Sequence, residues 1–179
     1  MPIEDINKLV DEFLRCYREG GTIFTMGNGG HGSTAAHAIN DINKHTVSND
    51  ERTKIVVGGG RFHAICLNDS VSTLTAWAND MGWESAFSQQ LVNWVKPNDL
   101  VIGISGRGSK NIVNAFEVAR AAGAKTVLLS GPAGAKLKGF VDLCILVPSD
   151  NVLFVEDAHL ALLHCACDCI RKVLQRDKS

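Results

Sequence analysis

The feature that most constrains the fold is a rhythm of short apolar runs, each followed by a stretch of helical periodicity. The runs are Thr22-Ile23-Phe24-Thr25, His63-Ala64-Ile65-Cys66-Leu67, Leu100-Val101-Ile102-Gly103-Ile104, Thr126-Val127-Leu128-Leu129 and Val141 to Val147. A strand with one wet face alternates apolar and polar residues, whereas a strand covered on both faces is apolar throughout. Strands of the second kind that alternate with helices are joined by right-handed crossovers into a parallel sheet. The chain therefore predicts an α/β fold, a doubly wound five-stranded parallel sheet flanked by helices. One domain is expected over 1–179, with an N-terminal helix at 3–19, a sheet core at 22–147 and a C-terminal helix at 152–174.

The helices are readable between the runs. Ile3, Ile6, Leu9, Val10, Phe13, Leu14 and Tyr17 recur at helical spacing, and Gly20-Gly21 ends that segment. Helices are expected over Val71–Ala78 and Ser85–Val95, with a turn at Asn79-Asp80-Met81-Gly82, and again from about Asn111 to Ala122. The polar tract from Asn43 to Arg52, followed by Gly58-Gly59-Gly60, reads as a long loop. At 179 residues the chain suits one well-packed domain. With 18 basic against 19 acidic residues it lacks the electrostatic footprint of a nucleic-acid binder. No apolar run reaches the length of a membrane span, and the acidic start Met1-Pro2-Ile3-Glu4-Asp5 is unlike a signal peptide. A cytoplasmic protein is expected. The cysteines at 16, 66, 144, 165, 167 and 169 fall in strand-like or helical patterns, which reads as free thiols in a reducing compartment.

In doubly wound folds ligands bind beyond the carboxyl ends of the strands, and two glycine-rich turns fall there. The first, Gly27-Asn28-Gly29-Gly30-His31-Gly32-Ser33, opens into a helix whose free amides and dipole suit an anion. It matches neither the dinucleotide fingerprint nor the Walker A loop, and such a turn also serves as a plain tight connection. The second, Ser105-Gly106-Arg107-Gly108-Ser109-Lys110-Asn111, offers hydroxyls, a guanidinium and backbone amides to a phosphate monoester, or is a solvated loop with a serine cap. His37 and Asp41 lie four apart on one helical face, as a surface ion pair or as two ligands of a divalent cation. Glu156, His159 and His164 interrupt an otherwise apolar final helix. Two histidines and two carboxylates on two helices would make a four-ligand site of the kind zinc favours, provided that the helices meet.

Gly27-Asn28-Gly29-Gly30, His37 four before an acid, Trp77-Ala78-Asn79-Asp80-Met81-Gly82-Trp83-Glu84-Ser85-Ala86-Phe87-Ser88, Gly103-Ile104-Ser105 with Gly108-Ser109, and Glu156-Asp157-Ala158-His159 with His164 resemble the phosphoheptose isomerases. These are sedoheptulose 7-phosphate isomerases of the sugar-isomerase (SIS) domain superfamily, and the resemblance runs from Ile3 to Leu174. It implies a Rossmann-like SIS fold and aldose–ketose isomerisation of a sugar phosphate. It implies a divalent metal, zinc foremost, held by His37, Asp41, Glu156 and His164, with Asp41 and His164 as the catalytic base and acid/base. It implies substrate contacts at Asn28, Gly29, Gly30, His31, Asp80, Ser105, Arg107 and Ser109. A homo-oligomer, dimer or tetramer, with shared active sites is implied too.

The chain departs from the family pattern at several of these positions. His31 stands where the family has serine, Arg107 replaces a further phosphate-binding serine in a turn shorter by one residue, Asp41 replaces glutamate and Glu156 replaces glutamine. The family's extra N-terminal helix has no counterpart, and the tract around Asn43 to Gly60 is longer. Two other readings accompany the first: a non-catalytic SIS module that binds a sugar phosphate or a partner protein, and an isomerase of a different phosphosugar. Relatives of the non-catalytic kind tend to lose the last-helix histidine, which this chain keeps as His164.

Overall fold

A computed structural model of the chain describes residues 3–47 and 60–177. Helix α1 (Ile3–Arg18) leads into strand β1 (Thr22–Gly27) and helix α2 (Gly30–Lys44), followed by β2 (His63–Cys66) and α3 (Val71–Met81). A 3-10 turn at Trp83–Ser85 precedes α4 (Ser88–Trp94), then come β3 (Leu100–Ile104), α5 (Lys110–Ala121) and β4 (Lys125–Ser130). A second 3-10 segment (Pro132–Leu137), β5 (Leu143–Leu146) and the long α6 (Val152–Arg176) complete the described elements.

All strand pairs are parallel, and the sheet order is β2-β1-β3-β4-β5. The apolar runs produce this because both faces of the central strands β1, β3 and β4 are covered, while edge strand β2 leaves His63 and Ile65 exposed. On one face Leu9, Phe13, Ile23, Ala35, Ile42, Ile102, Leu129, Leu163 and Ile170 join α1, α2 and α6 to the strands. On the other, Phe24, Met26, Leu91, Val101, Phe116 and Leu128 join α4 and α5 to them. Each of these side chains larger than alanine, buried completely, stabilises the fold by about 1.5–3 kcal/mol before entropy is charged against it.

The strand order has a functional consequence. From β1 the chain steps outward to β2 and returns on the other side as β3, so the crevice between the ends of β1 and β3 is the topological switch point. Gly27 pairs in register with Ile104, which puts the two glycine-rich turns side by side. Helix α6 lies against both α1 and α2, and that contact brings the two ends of the sequence-predicted metal set together.

Three segments differ from the sequence expectation. Asn79 and Asp80 lie in the last turn of α3 rather than in a loop, because nothing stops the helix before Gly82, whose φ of 86° suits glycine. The helix expected over Ser85–Val95 divides into the 3-10 turn and a shorter α4. Asn43 and Lys44 belong to α2, where the Asn43 side-chain amide donates to the Ala64 carbonyl at 3.0 Å. The rest of the expected long loop, residues 48–59, lies outside the described residues. The six cysteines are free thiols, and burial pushes Cys16 and Cys167 up to about 12.

Candidate active site

The turn after β3 is held rigidly. Ser105 is buried, its hydroxyl accepts from the Ser109 backbone N–H at 3.1 Å and lies 3.3 Å from the Ser109 hydroxyl. Ser130 donates its hydroxyl to the Ser105 carbonyl at 2.5 Å, and the Gly131 amide donates to the Gly106 carbonyl at 3.2 Å. These bonds fix the turn against β4 and leave its outer side facing a cavity of about 460 Å³. Asn28, His31, Ser105, Arg107, Ser109 and Asp150 are among the residues that line it. Arg107 is exposed at its rim. A guanidinium, two hydroxyls and the start of a helix converge there, which is the donor set a phosphate monoester requires.

The first turn is tied to the second by a reciprocal amide pair. Asn28 Nδ2 donates to Asn111 Oδ1 at 3.0 Å, and Asn111 Nδ2 donates back to Asn28 Oδ1 at 2.9 Å. Asn111 is buried, and its Oδ1 also accepts from the Ile112 amide. Asn111 ends the second turn in the sequence but carried no expected role there, since an amide at the start of a helix does not reveal a partner 83 residues away. Sequence reading passed over Asp150, which only the fold brings to the cavity from the loop before α6. At the first turn, a Cβ on Gly27 would collide with the His31 carbonyl, so only glycine allows the chain to fold back so closely.

His31 is buried, and its Nδ1 lies 3.3 Å from Glu156 Oε1. Its ring centroid is 5.3 Å from that of His159, which is fully buried. Burial pushes the His159 imidazole down to about 4, with the neighbouring His31 adding to the effect. Burial also pulls His31 below its ordinary value, against the opposing pull of the Glu156 carboxylate.

Three of the four expected metal ligands converge. His37 Nε2 lies 3.2 Å from Asp41 Oδ2, His164 Nε2 lies 3.3 Å from the same oxygen, and the two ring nitrogens are 3.0 Å apart. One donor atom from each of the three residues falls within 4.8 Å of the others. A tetrahedral cation with bonds of about 2.0–2.1 Å sets its donors about 3.3 Å apart, so the spacing of the three donor atoms is compatible with zinc. Glu156 is outside this set. Two helical turns separate it from His164, a rise of about 12 Å, so sharing a face does not mean sharing a point.

Gly29 and Gly30 begin α2 as expected, and the Glu156 carboxylate lies against Gly30. Asp80 is exposed at the end of α3, where its carboxylate accepts from Asn79 Nδ2 at 2.9 Å. It is not among the residues that line the cavity. No helix among the described residues is long and apolar enough to cross a membrane.

The chain matches the SIS domain family over residues 2–131. It is 35% identical to a phosphoheptose isomerase of Helicobacter pylori, over 94% of this chain and 84% of that one. It is 36% identical to one of Trichlorobacter lovleyi, over 94% of this chain and 82% of the relative. Among solved structures it superimposes on a phosphoheptose isomerase of Neisseria gonorrhoeae with a TM-score of 0.83 at 26% identity, covering 95% of this chain and 86% of the other. The corresponding structure from Francisella tularensis gives a TM-score of 0.82 at 27% identity, covering 94% and 86%. Sheet order, glycine-rich turns and relatives agree: the chain belongs to the phosphoheptose isomerase family of SIS-domain proteins.

Proposed function

We propose that the protein is a metal-dependent aldose–ketose isomerase of a sugar phosphate, converting sedoheptulose 7-phosphate to a heptose 7-phosphate through an enediol. The observation that carries this reading is that one pair of helices builds both halves of a site. The starts of α2 and α6 line the cavity beside the serine–arginine turn, and further along the same helices His37, Asp41 and His164 converge. His37 lies six residues beyond His31, about 9 Å along α2. A substrate anchored by its phosphate in the cavity thus points its sugar toward the trio.

In this reading Arg107, Ser105 and Ser109 hold the phosphate, and Asn28, Gly29, Gly30 and His31 line the path of the sugar. Asp80 joins them through a neighbouring subunit. His37, Asp41 and His164 would hold a divalent cation, zinc foremost, which would supply Lewis acidity toward the carbonyl and hydroxyl oxygens. Asp41 takes the proton from the carbon next to the carbonyl and returns it to the former carbonyl carbon. His164 moves the second proton between the two oxygens. Atoms balance within one molecule of substrate, so no external oxidant or reductant enters.

A homo-oligomer belongs to the same reading. Helix α3 buries none of its residues, and Trp94 and Phe154 are 62% and 63% exposed, which is apolar area that a second copy would cover. The free thiols accord with the cytoplasm. The test is conversion of sedoheptulose 7-phosphate followed by NMR on chelator-treated protein, before and after zinc is restored, with mass in solution measured by light scattering. Turnover that appears only with zinc is expected. Bound metal without turnover moves the assignment to another phosphosugar, and absence of both moves it to a non-catalytic binding module.

A further inference from the structure

Two amide side chains grip the first turn, Asn68 from the end of β2 and Asn111 from the start of α5. Asn68 Nδ2 donates to the Gly27 carbonyl at 2.9 Å, while the Gly27 N–H donates to Asn68 Oδ1 at 3.1 Å. Both polar groups of Gly27 are thereby paired, and the backbone entering the turn is fixed. On the other side, Asn28 and Asn111 exchange two hydrogen bonds, at 3.0 and 2.9 Å. Such a pair closes equally well with both amides turned over, but the Ile112 N–H donates to Asn111 Oδ1 at 3.0 Å. That bond decides which end of the Asn111 amide is oxygen, and Asn111 in turn decides which end of the Asn28 amide is nitrogen. An amide has two N–H groups and an oxygen with two lone pairs. With one of each engaged by Asn111, Asn28 keeps one N–H and one lone pair, and it lines the cavity beside Arg107 and Ser109.

We propose that Asn111 is a positioning residue for the isomerase: it locks the Asn28 amide so that the remaining Asn28 N–H donates to an acceptor oxygen of the bound sugar phosphate. The inference rests on reading the cavity as the sugar-phosphate site. Phosphate and carbonyl oxygens only accept, and a sugar hydroxyl accepts as well as donates, so an N–H held in place suits each of them. An Asn28 amide free to turn would present its carbonyl oxygen as readily, and the choice of orientation would fall as an entropy cost on binding. Asn111 is buried, so it is held in turn by the packing around it.

The test is a double-mutant cycle on the full-length chain, read as the apparent Kd for sedoheptulose 7-phosphate by calorimetry. Asn28→Ala is expected to weaken binding by up to about tenfold, the worth of one hydrogen bond. Asn111→Ala acts only through Asn28, so it weakens binding by about three- to tenfold, and the double variant falls within about twofold of Asn28→Ala alone. In Asn111→Ala the Ile112 N–H keeps the Ser109 carbonyl as acceptor at 3.0 Å, so no backbone donor is orphaned. Losses that multiply in the double variant overturn the inference, as does an Asn111→Ala chain that binds like the unaltered one.

Side-chain amide NMR of the unaltered protein examines the same lock without a variant. A nuclear Overhauser contact between the Asn28 and Asn111 amide protons is expected, and on adding sedoheptulose 7-phosphate the unpaired Asn28 proton shifts most. Absence of that contact, or equal shifts of both Asn28 protons, overturns the inference even if Asn111→Ala fails to fold. Failure of the unaltered chain to bind sedoheptulose 7-phosphate overturns the substrate reading, and the role of Asn28 falls with it, a result distinct from losses that multiply.

Discussion

Asp41 stands 3.2 Å and 3.3 Å from two imidazole nitrogens through a single oxygen, Oδ2, which leaves Oδ1 for a proton. Asp41→Asn keeps the shape and removes the basicity, so kcat is expected to fall by roughly 10²–10⁴-fold with an unchanged circular dichroism spectrum. His159 governs acid stability instead. Its folded pKa, about 4, lies below the 6.5 of an exposed imidazole, so below pH 6.5 the unfolded chain binds a proton that the folded one refuses. Stability is therefore lost as pH falls from 6.5 toward 4, by on the order of 2–3 kcal/mol at the lower end. Urea titrations at stepped pH are expected to show that slope, and His159→Phe to flatten it. His37 and Asp41 were legible as a pair because four residues make one helical turn. The place of Glu156, eight residues before His164 and beside His31, was not legible, since spacing along one helix reports a shared face and says nothing of which neighbour that face meets.

Elements explain why a glycine stands inside a central strand. A Cβ on Gly103 would meet Ile112 Cγ2 and Phe116 Cζ, each at 2.6 Å, so β3 and α5 approach as closely as they do only because position 103 has no side chain. Gly103→Ala is expected to cost about 1–3 kcal/mol by overpacking, read as a lower urea midpoint at constant m. The displacement of α5 also shifts Ser109 and Asn111, so KM for the phosphosugar rises with it. The strands were legible because their apolar runs had no polar alternation, and β3 matches its expected bounds. The boundary at Asn79 was less so, as helix ends depend on what halts them, and here that is Gly82 rather than the polar residues before it.

For the whole molecule, the trio joins α2 to α6 across the surface of the core, so a bound cation ties the middle of the sheet to the C-terminal helix. Zinc at a hundred times its Kd is expected to stabilise the fold by about 2.7 kcal/mol and raise Tm, and His164→Ala to abolish the zinc-dependent part of that shift. Thermal melts with zinc and with chelator measure it directly. The class of fold, the number and direction of the strands and the placing of both glycine-rich turns at strand ends could be read from residue order alone, because buried parallel strands and helix starts each demand local residue patterns. The sequence also supplied the chemistry of the candidate ligands. It took the folded chain to show that α6 lies beside α2, that Asn111 clamps Asn28, that Asp150 reaches the cavity and that Glu156 lies beside His31. These are contacts between segments far apart in the chain, and they follow from how helices stack on a twisted sheet, for which no local pattern of residues is a code.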